Sequence, residues 1–490
     1  MNARQAFDPG AAPRGAPPAA PARRRLRMLV AIACYGERNL PLLRWVIAGY
    51  RAMSLSVDVV VLSDAPKDLG PDVRVVVGLP SKNPWSLPFA HKRLFVEQAE
   101  AYDLFAYSED DMEVLQRHVD AFLRISPLLA DDEIAGFLRY EVDREGGVWL
   151  PEAHGSFHWK PASVQRRGSE TVAEFSNEHA AFFLLTRAQL RRAIDSGGFD
   201  RAPAEGRYDM LCTAATDPYT RCGMRKVVCV SALDDFLIHH LSDRYAGQLG
   251  MSLPAAQQEV RTLLAIGRGE HPATRLLAGE TTIDQGEWAK AYHTRRPAGG
   301  AAPAPECLPG GARSVLSIGC GDGEAEAAWV ARGVRVTALP LDAVVGAGAS
   351  ARGVEVLYGP LEEGLARLAG RRFDCVVASD LLHLVPQPQA VLAQCVALLA
   401  PGGTLLLEGP HFGTLRLWAR RLLGRGEARL LRSYQESGVH TVGPRVLRRL
   451  LRREALQVAL RWSGGGRGAR WCPGWLRPWM SPRWALQARR

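Results

Sequence analysis

The sequence predicts an α/β chain built as two three-layer α/β/α domains in tandem. Three observations carry this. Apolar runs of strand length alternate with helix-like stretches from residue 27 to 114, and again from 315 to 409. Such alternation implies largely parallel, helix-covered sheets. Between the two regions lies RRPAGGAAPAPECLPGGA (295–312), a Pro/Gly/Ala stretch that reads as a linker. Finally, 490 residues with 47% apolar content exceed one ordinary domain and suffice for two cores. The expected limits are a disordered tail over 1–26, a first domain over 27–249, a helical connector and linker over 250–304, a second domain over 305–465, and a basic, Trp-rich tail over 466–490.

In chain order, RMLVAIAC (27–34) is the first strand, SVDVVVLSD (56–64) the second, ending on Asp64, and VRVVVGL (73–79) the third. HKRLFVEQAEAY (91–102) reads as a helix. DLFAYSEDDMEV (103–114) is a strand that ends in Glu109, Asp110 and Asp111. Clustered carboxylates repel one another unless a cation shares them, and hard oxygen ligands select Mg²⁺ or Mn²⁺. The plainer reading is an acidic cap for a helix at 113–124, favoured by the helix dipole. Residues 250–292 read as helical, as in PAAQQEVRTLLAIGRG.

The second region opens with VLSIGCGDG (315–323), a strand closing on Gly319, Gly321 and Gly323. FDCVVASDLLHLV (373–385) and LLAPGGTLLLEG (398–409) follow as two more strands, with a helix between them. A turn with almost no side chains lets backbone approach a bulky cofactor at the carboxyl ends of parallel strands. At these residues, over roughly 305–460, the chain resembles the class I S-adenosylmethionine-dependent methyltransferases. The resemblance implies a Rossmann-like fold with S-adenosylmethionine as cofactor. It places Gly319, Gly321 and Gly323 along the methionine and ribose, and Ser379 to His383 in a wall near the donor methyl group, so that Ser379 and Asp380 bind cofactor and His383 serves as base or acceptor contact. Two departures stand out. Ser317 occupies a position where the family usually has an acid, and Pro340 stands where the ribose-binding acid is expected, leaving Asp342 as the nearest candidate.

The first domain resembles GT-A-type glycosyltransferases, through Tyr35-Gly36-Glu37-Arg38, Asp64 and YSEDDM. That likeness implies a nucleotide-sugar site. Asp64 would lie near base or ribose, Asp111 would be the direct metal ligand, and Glu109 and Asp110 would lie near ribose or metal-bound water. His240 would complete the metal shell late in the domain, Asp234 or Asp235 would be the base, and Lys92 and Arg93 are candidates to face the diphosphate. The plainer readings are a helix cap for Asp234 and a core hydrogen bond for His240.

The combined expectation is a bifunctional transferase using S-adenosylmethionine, Mg²⁺ or Mn²⁺ and a nucleotide-sugar to modify a glycan or lipid-linked glycan precursor. The alternatives are a methyltransferase with a non-catalytic front domain and a glycosyltransferase with a non-catalytic methyltransferase-like scaffold. No apolar run reaches the ~18–20 residues of a membrane span. Nine cysteines without a CxxC pair read as free thiols of a reducing cytoplasm. Residues 411–490 hold 18 Arg and 3 Glu, with Trp418, Trp462, Trp471, Trp475, Trp479 and Trp484. Arginine with tryptophan suits peripheral contact with the anionic inner face of a membrane. Nucleic acid ranks last as a partner, since the front half has no strand of mixed aromatic and basic residues.

Overall fold

The computed structural model describes residues 25–151, 158–206, 208–247, 250–277, 308–423, 434–441, 443–454, 456–463, 479, 481 and 483–490. The expected N-terminal tail (except residues 25 and 26), most of the Pro/Gly/Ala linker, Trp471, Trp475 and the side chain of Trp462 lie outside the described residues.

The front half contains strands β1 (Arg27–Cys34), β2 (Ser56–Ser63), β3 (Arg74–Val77), β4 (Leu104–Glu109), β5 (Met112–Glu113), β6 (Glu133–Ala135), β7 (Leu138–Val142), β8 (Val148–Leu150), β9 (Gln165–Arg167), β10 (Glu170–Ala173), β11 (Phe182–Thr186), β12 (Arg225–Cys229), β13 (Leu237–His240) and β14 (Met251–Ser252). Its main sheet runs β11-β4-β1-β2-β3. β1 pairs in parallel with both β2 and β4, and β11 closes the edge antiparallel. Seven of the eight residues of β1 are buried, as a strand covered on both faces requires. Strand order reverses at β1, so the carboxyl ends of β1, β2 and β4 border a crevice. A second sheet, β14-β8-β7-β13-β5, begins directly after the acid triplet and returns β13 beside it.

The back half contains β15 (Ser314–Cys320), β16 (Arg335–Pro340), β17 (Glu355–Val356), β18 (Phe373–Ser379), β19 (Leu399–Pro410), β20 (Gln457–Ser463) and β21 (Arg483–Arg489). They form one sheet in the order β17-β16-β15-β18-β19-β21-β20, parallel except for β21, which runs antiparallel between β19 and β20. Residues 483–489, assigned to a tail by the sequence, are therefore a strand of this sheet. Trp484 is buried and donates from Nε1 to the Pro410 carbonyl at 2.8 Å. Its alternation with Leu486 and Ala488 is a strand pattern that the arginine excess had obscured.

The expected connector is bonded to the back half. Helix Leu253–Gly267 packs on the front half and on helix Ala343–Ala351 of the back half. Beyond it the chain runs alongside the end of β16: Leu276 N donates to Leu341 O, Ala343 N to Thr274 O, and Leu361 N to Leu276 O, at 2.8–2.9 Å. Leu276 is buried in the back core, while Val344 of the back half is buried in the front core.

Candidate functional sites

In the front half, Glu109, Asp110 and Asp111 stand at the carboxyl end of β4, beside the loop after β1. Asn39 Nδ2 donates to Asp110 Oδ1 at 2.7 Å. Gly36, in the left-handed region at φ 67°, turns its N–H onto Asp64 Oδ1 at 2.8 Å. Burial pushes Asp64 up, but this N–H and Lys67 outweigh it and hold the carboxyl below its ordinary range.

The second sheet delivers His240 to the triplet. His240 Nε2 lies 3.2 Å from Asp111 Oδ2, and Nδ1 lies 2.5 Å from Glu141 Oε1. Burial alone lowers the imidazole's proton affinity; hydrogen bonds to the two carboxylates reverse that and raise it to about 9. Asp111 responds in kind: burial raises it, but His240 wins and holds it low. The bridge is thus carboxylate–imidazolium–carboxylate at neutral pH. An imidazolium has no lone pair for a metal, so His240 must lose its proton to act as the ligand the sequence assigned. Among the described residues, no cation hydrogen-bonds to Glu109 or Asp110. Burial, then the neighbouring Asp111, lifts Glu109 to about 7, and burial with its acidic neighbours lifts Asp110 to about 6 against the pull of Asn39. Among the described residues, no three His, Cys, Asp or Glu side chains converge to hold a metal by themselves.

Three expectations for this half are corrected. Asp234 is exposed on a 3₁₀ segment, and Asp235 pairs with Arg124 at 3.3 Å, so neither is bonded to the triplet among the described residues. Lys92 is fully buried in an ion pair with Asp217. Arg93 is exposed and pairs with Glu97 one helical turn on. Sequence reasoning missed Arg139 and Glu141. Their signal was present as alternation in FLRYE, which puts both on one face of β7.

In the back half, the glycine turn follows β15. Gly319 has φ 81°, and a Cβ there would point toward Ser379 O at 3.6 Å and the side chains of Leu341 and Leu276 at 3.8–4.0 Å. A Cβ on Gly321 would meet nothing within 4 Å, so this turn borders open space. Gly323 differs. Its φ is 81°, and a Cβ would stand 2.5 Å from Ala349 on the neighbouring helix. It therefore serves close helix packing as well as the turn. Ser317 donates to Glu326 at 2.6 Å, so a carboxylate reaches the motif from helix Glu324–Val330. Asp342 caps its helix, its Oδ1 accepting from Val344 N and Val345 N at 2.8 and 3.0 Å.

Past β18, Ser379 presents a buried hydroxyl with no hydrogen-bond partner among the described residues. Asp380 has φ 52°, and Arg483 Nη2 donates to both of its carboxylate oxygens, at 2.8 Å each. The pair ties the wall to β21. His383 is buried, its ring 6.2 Å from that of Phe412, and its carbonyl accepts from His440 N at 2.8 Å. The fit of the turn to an adenosyl cofactor rests on the open space at Gly321, the left-handed Gly319 and the apolar side chains of Leu276 and Leu341.

A family profile described as "Methyltransferase domain" matches residues 240–458. The match begins well before residue 305, in keeping with the shared connector. The chain is similar to a ubiquinone biosynthesis O-methyltransferase of Xanthomonas axonopodis pv. citri (strain 306), 38% identical over 106 residues that make up 20% of this chain and 44% of that protein. It is similar to a protein of the same name from Pseudomonas putida (strain W619), 33% identical over 101 residues, with 20% and 44% covered. The chain thus spans less than half the length of these curated relatives. Among solved structures, it is similar to a SAM dependent methyltransferase from Archaeoglobus fulgidus, with 15% identity, TM-score 0.30, and 37% of this chain and 87% of that chain covered. The C-terminal region is a class I S-adenosylmethionine-dependent methyltransferase domain.

Proposed function

We propose that this domain transfers a methyl group from S-adenosylmethionine to an oxygen acceptor in the crevice at the carboxyl ends of β15 and β18. The observation that carries the reading is the open turn at Gly321, at the point where strand order reverses. Bound there, the cofactor would supply an electrophilic methyl group. Gly319 and Gly321 would hold it through backbone approach, with Leu276 and Leu341 as an apolar wall. The chain's own contribution is to hold the acceptor at attack distance and exclude water. His383, in the wall past β18, is the group we assign to take the acceptor's proton. The printed name of the similar O-methyltransferases favours oxygen as the acceptor atom. We take that acceptor to be a glycan or lipid-linked glycan precursor, met at the cytoplasmic membrane face. Leu415, Trp418, Leu422 and Leu423 are exposed together on one short segment, and apolar side chains in an arginine-rich region suit that surface. Calorimetry of the full chain with S-adenosylmethionine and its demethylated product tests the reading. Saturable binding of both is expected; no heat at millimolar ligand would remove it.

A second reading concerns the front half: sugar transfer from a nucleotide-sugar with Mg²⁺ or Mn²⁺. It is favoured by Glu109 Oε1 and Asp111 Oδ1, buried without hydrogen-bond partners among the described residues. Mg²⁺ is often held by one or two carboxylates plus substrate phosphates, so two such oxygens suffice if the donor completes the shell. Asp64, held by Gly36, would border the nucleoside. Metal-dependent hydrolysis of a nucleotide-sugar, lost in Asp111→Asn, is the expected result; unchanged hydrolysis in that variant would leave the front half a binding domain.

A further inference from the structure

A carboxyl group stands where the two halves of the chain meet. Glu259 lies on helix Leu253–Gly267, in a stripe with Ala256 and Leu263. Positions three and four apart share one face of a helix, and both of these neighbours are buried in the front core. An apolar residue is the ordinary occupant of such a position. Glu259 instead carries a fully buried Oε2 that has no hydrogen-bond partner among the described residues. The charges acting on this carboxyl, Asp342 and Asp322, are both negative. Burial, then these two acids, push it up to about 8, against the pull of the Trp159 indole of the front half. A buried oxygen left unsatisfied costs stability, so packing does not account for an acid at this position.

The two acids locate the carboxyl. Asp322 belongs to the glycine turn after β15 and follows Gly321, where a Cβ would meet open space. Asp342 caps helix Ala343–Ala351 just past β16, and the helix that carries Glu259 packs on that same helix. β15 and β16 are parallel neighbours, so the turn and the cap stand at one carboxyl edge of the sheet. Pro340, the last residue of β16, has no side-chain oxygen to offer a ribose. The other departure from the expected acids is already met from a helix, since Ser317 bonds Glu326.

We propose that Glu259 accepts the ribose hydroxyls of S-adenosylmethionine, and that the connector helix thereby supplies a cofactor contact that the end of β16 lacks. Two vicinal hydroxyls are two donors, and a carboxylate has acceptor sites for both. Such donors favour its charged form and satisfy the oxygen that the described residues leave without a partner. The inference rests on the methyl-transfer reading and adds to it a binding residue that comes from outside the seven-stranded sheet and its covering helices.

The test is calorimetry of the full chain with S-adenosylhomocysteine and with its 2′,3′-dideoxy counterpart. The parent is expected to bind the dideoxy ligand at least about tenfold more weakly, as loss of hydrogen bonds to a charged group requires. In Glu259→Gln the intact ligand is expected to weaken by a similar factor while the dideoxy ligand binds as it does to the parent. A structural role would weaken both ligands alike. Unliganded Glu259→Gln is expected to melt no lower than the parent, because the amide keeps the shape and removes a charge set among acids. Glu259→Leu, which fills the stripe with an apolar side chain, is expected to lose the same discrimination between the two ligands. Discrimination kept in both variants overturns the inference and leaves methyl transfer standing. So does discrimination lost in Asp342→Asn and kept in Glu259→Gln, which would assign the ribose to the helix cap. A parent that binds neither ligand overturns the methyl-transfer reading, and this inference with it.

Discussion

His240 joins two carboxylates that are far apart in sequence: its Nε2 stands 3.2 Å from Asp111 and its Nδ1 2.5 Å from Glu141. The ring thereby clamps the second sheet of the front half against the end of β4, and its proton becomes part of the fold.

That proton makes stability depend on pH. A folded-state value of about 9 lies above the ordinary histidine value of 6.5. The contribution is fully present below about 6.5 and is lost as pH rises through 9. Buried Lys226, depressed by burial to about 7, has the opposite slope: its cost is relieved as pH rises. The two are separated by comparing the parent with His240→Gln. The melting-temperature gap is expected to be on the order of 5 °C near pH 6 and to shrink by pH 10. A gap that does not change with pH would mean His240 is neutral in the bridge.

Gly321 and Gly323 should respond in opposite ways. Gly321→Val adds a side chain to open space, so the melting temperature is expected to hold while S-adenosylmethionine affinity falls at least tenfold. Gly323→Ala forces a methyl group against Ala349 in a left-handed backbone, at a cost of about 1–3 kcal/mol. Chemical denaturation and calorimetry on both variants check this; the reverse pattern would place the cofactor elsewhere.

Arg483→Ala removes the partner of Asp380 while leaving a largely buried carboxylate. Breaking such a pair costs about 3–5 kcal/mol. Arg483→Ala with Asp380→Ala is expected to recover part of that loss, because the carboxylate leaves together with its guanidinium. Urea denaturation of the single and double variants measures the coupling.

Leu276→Ala tests the connector. Leu276 is 1% exposed and belongs to the back core, so a loss of about 2–5 kcal/mol is expected, with weaker cofactor binding because the same side chain faces Gly319. A fragment starting at 240 is expected to bind S-adenosylmethionine, and one starting at 305 to fail. Cofactor binding by the shorter fragment would show the connector to be dispensable.

Features set by local pattern were legible in the sequence: the apolar strands, the glycine turn after β15, the acids at the end of β4. So was the approach of His240 to those acids, though not its bridging of Glu141. What escaped was set by partners distant in the chain. Asp380 looked available because Arg483, 103 residues away, sat in an apparent tail. Lys92 looked available to a diphosphate because Asp217 lies 125 residues on. Asp234 and Asp235 drew notice as adjacent acids, but adjacency in a 3₁₀ turn does not direct both side chains inward, and Arg124 holds one of them at the surface. The connector escaped because its bonds to residues 341–343 are backbone bonds, which leave no mark on side-chain pattern.

The spatial order β19-β21-β20 differs from the order of synthesis. As the polypeptide emerges from the ribosome, β20 has no neighbour to pair with until residues 483–489 follow it out. The front half, its main sheet already complete, has time to fold while the methyl-transfer wall still lacks Arg483. The nascent chain therefore exposes the edge of β19 for that interval, and this edge is where misassembly during translation would begin.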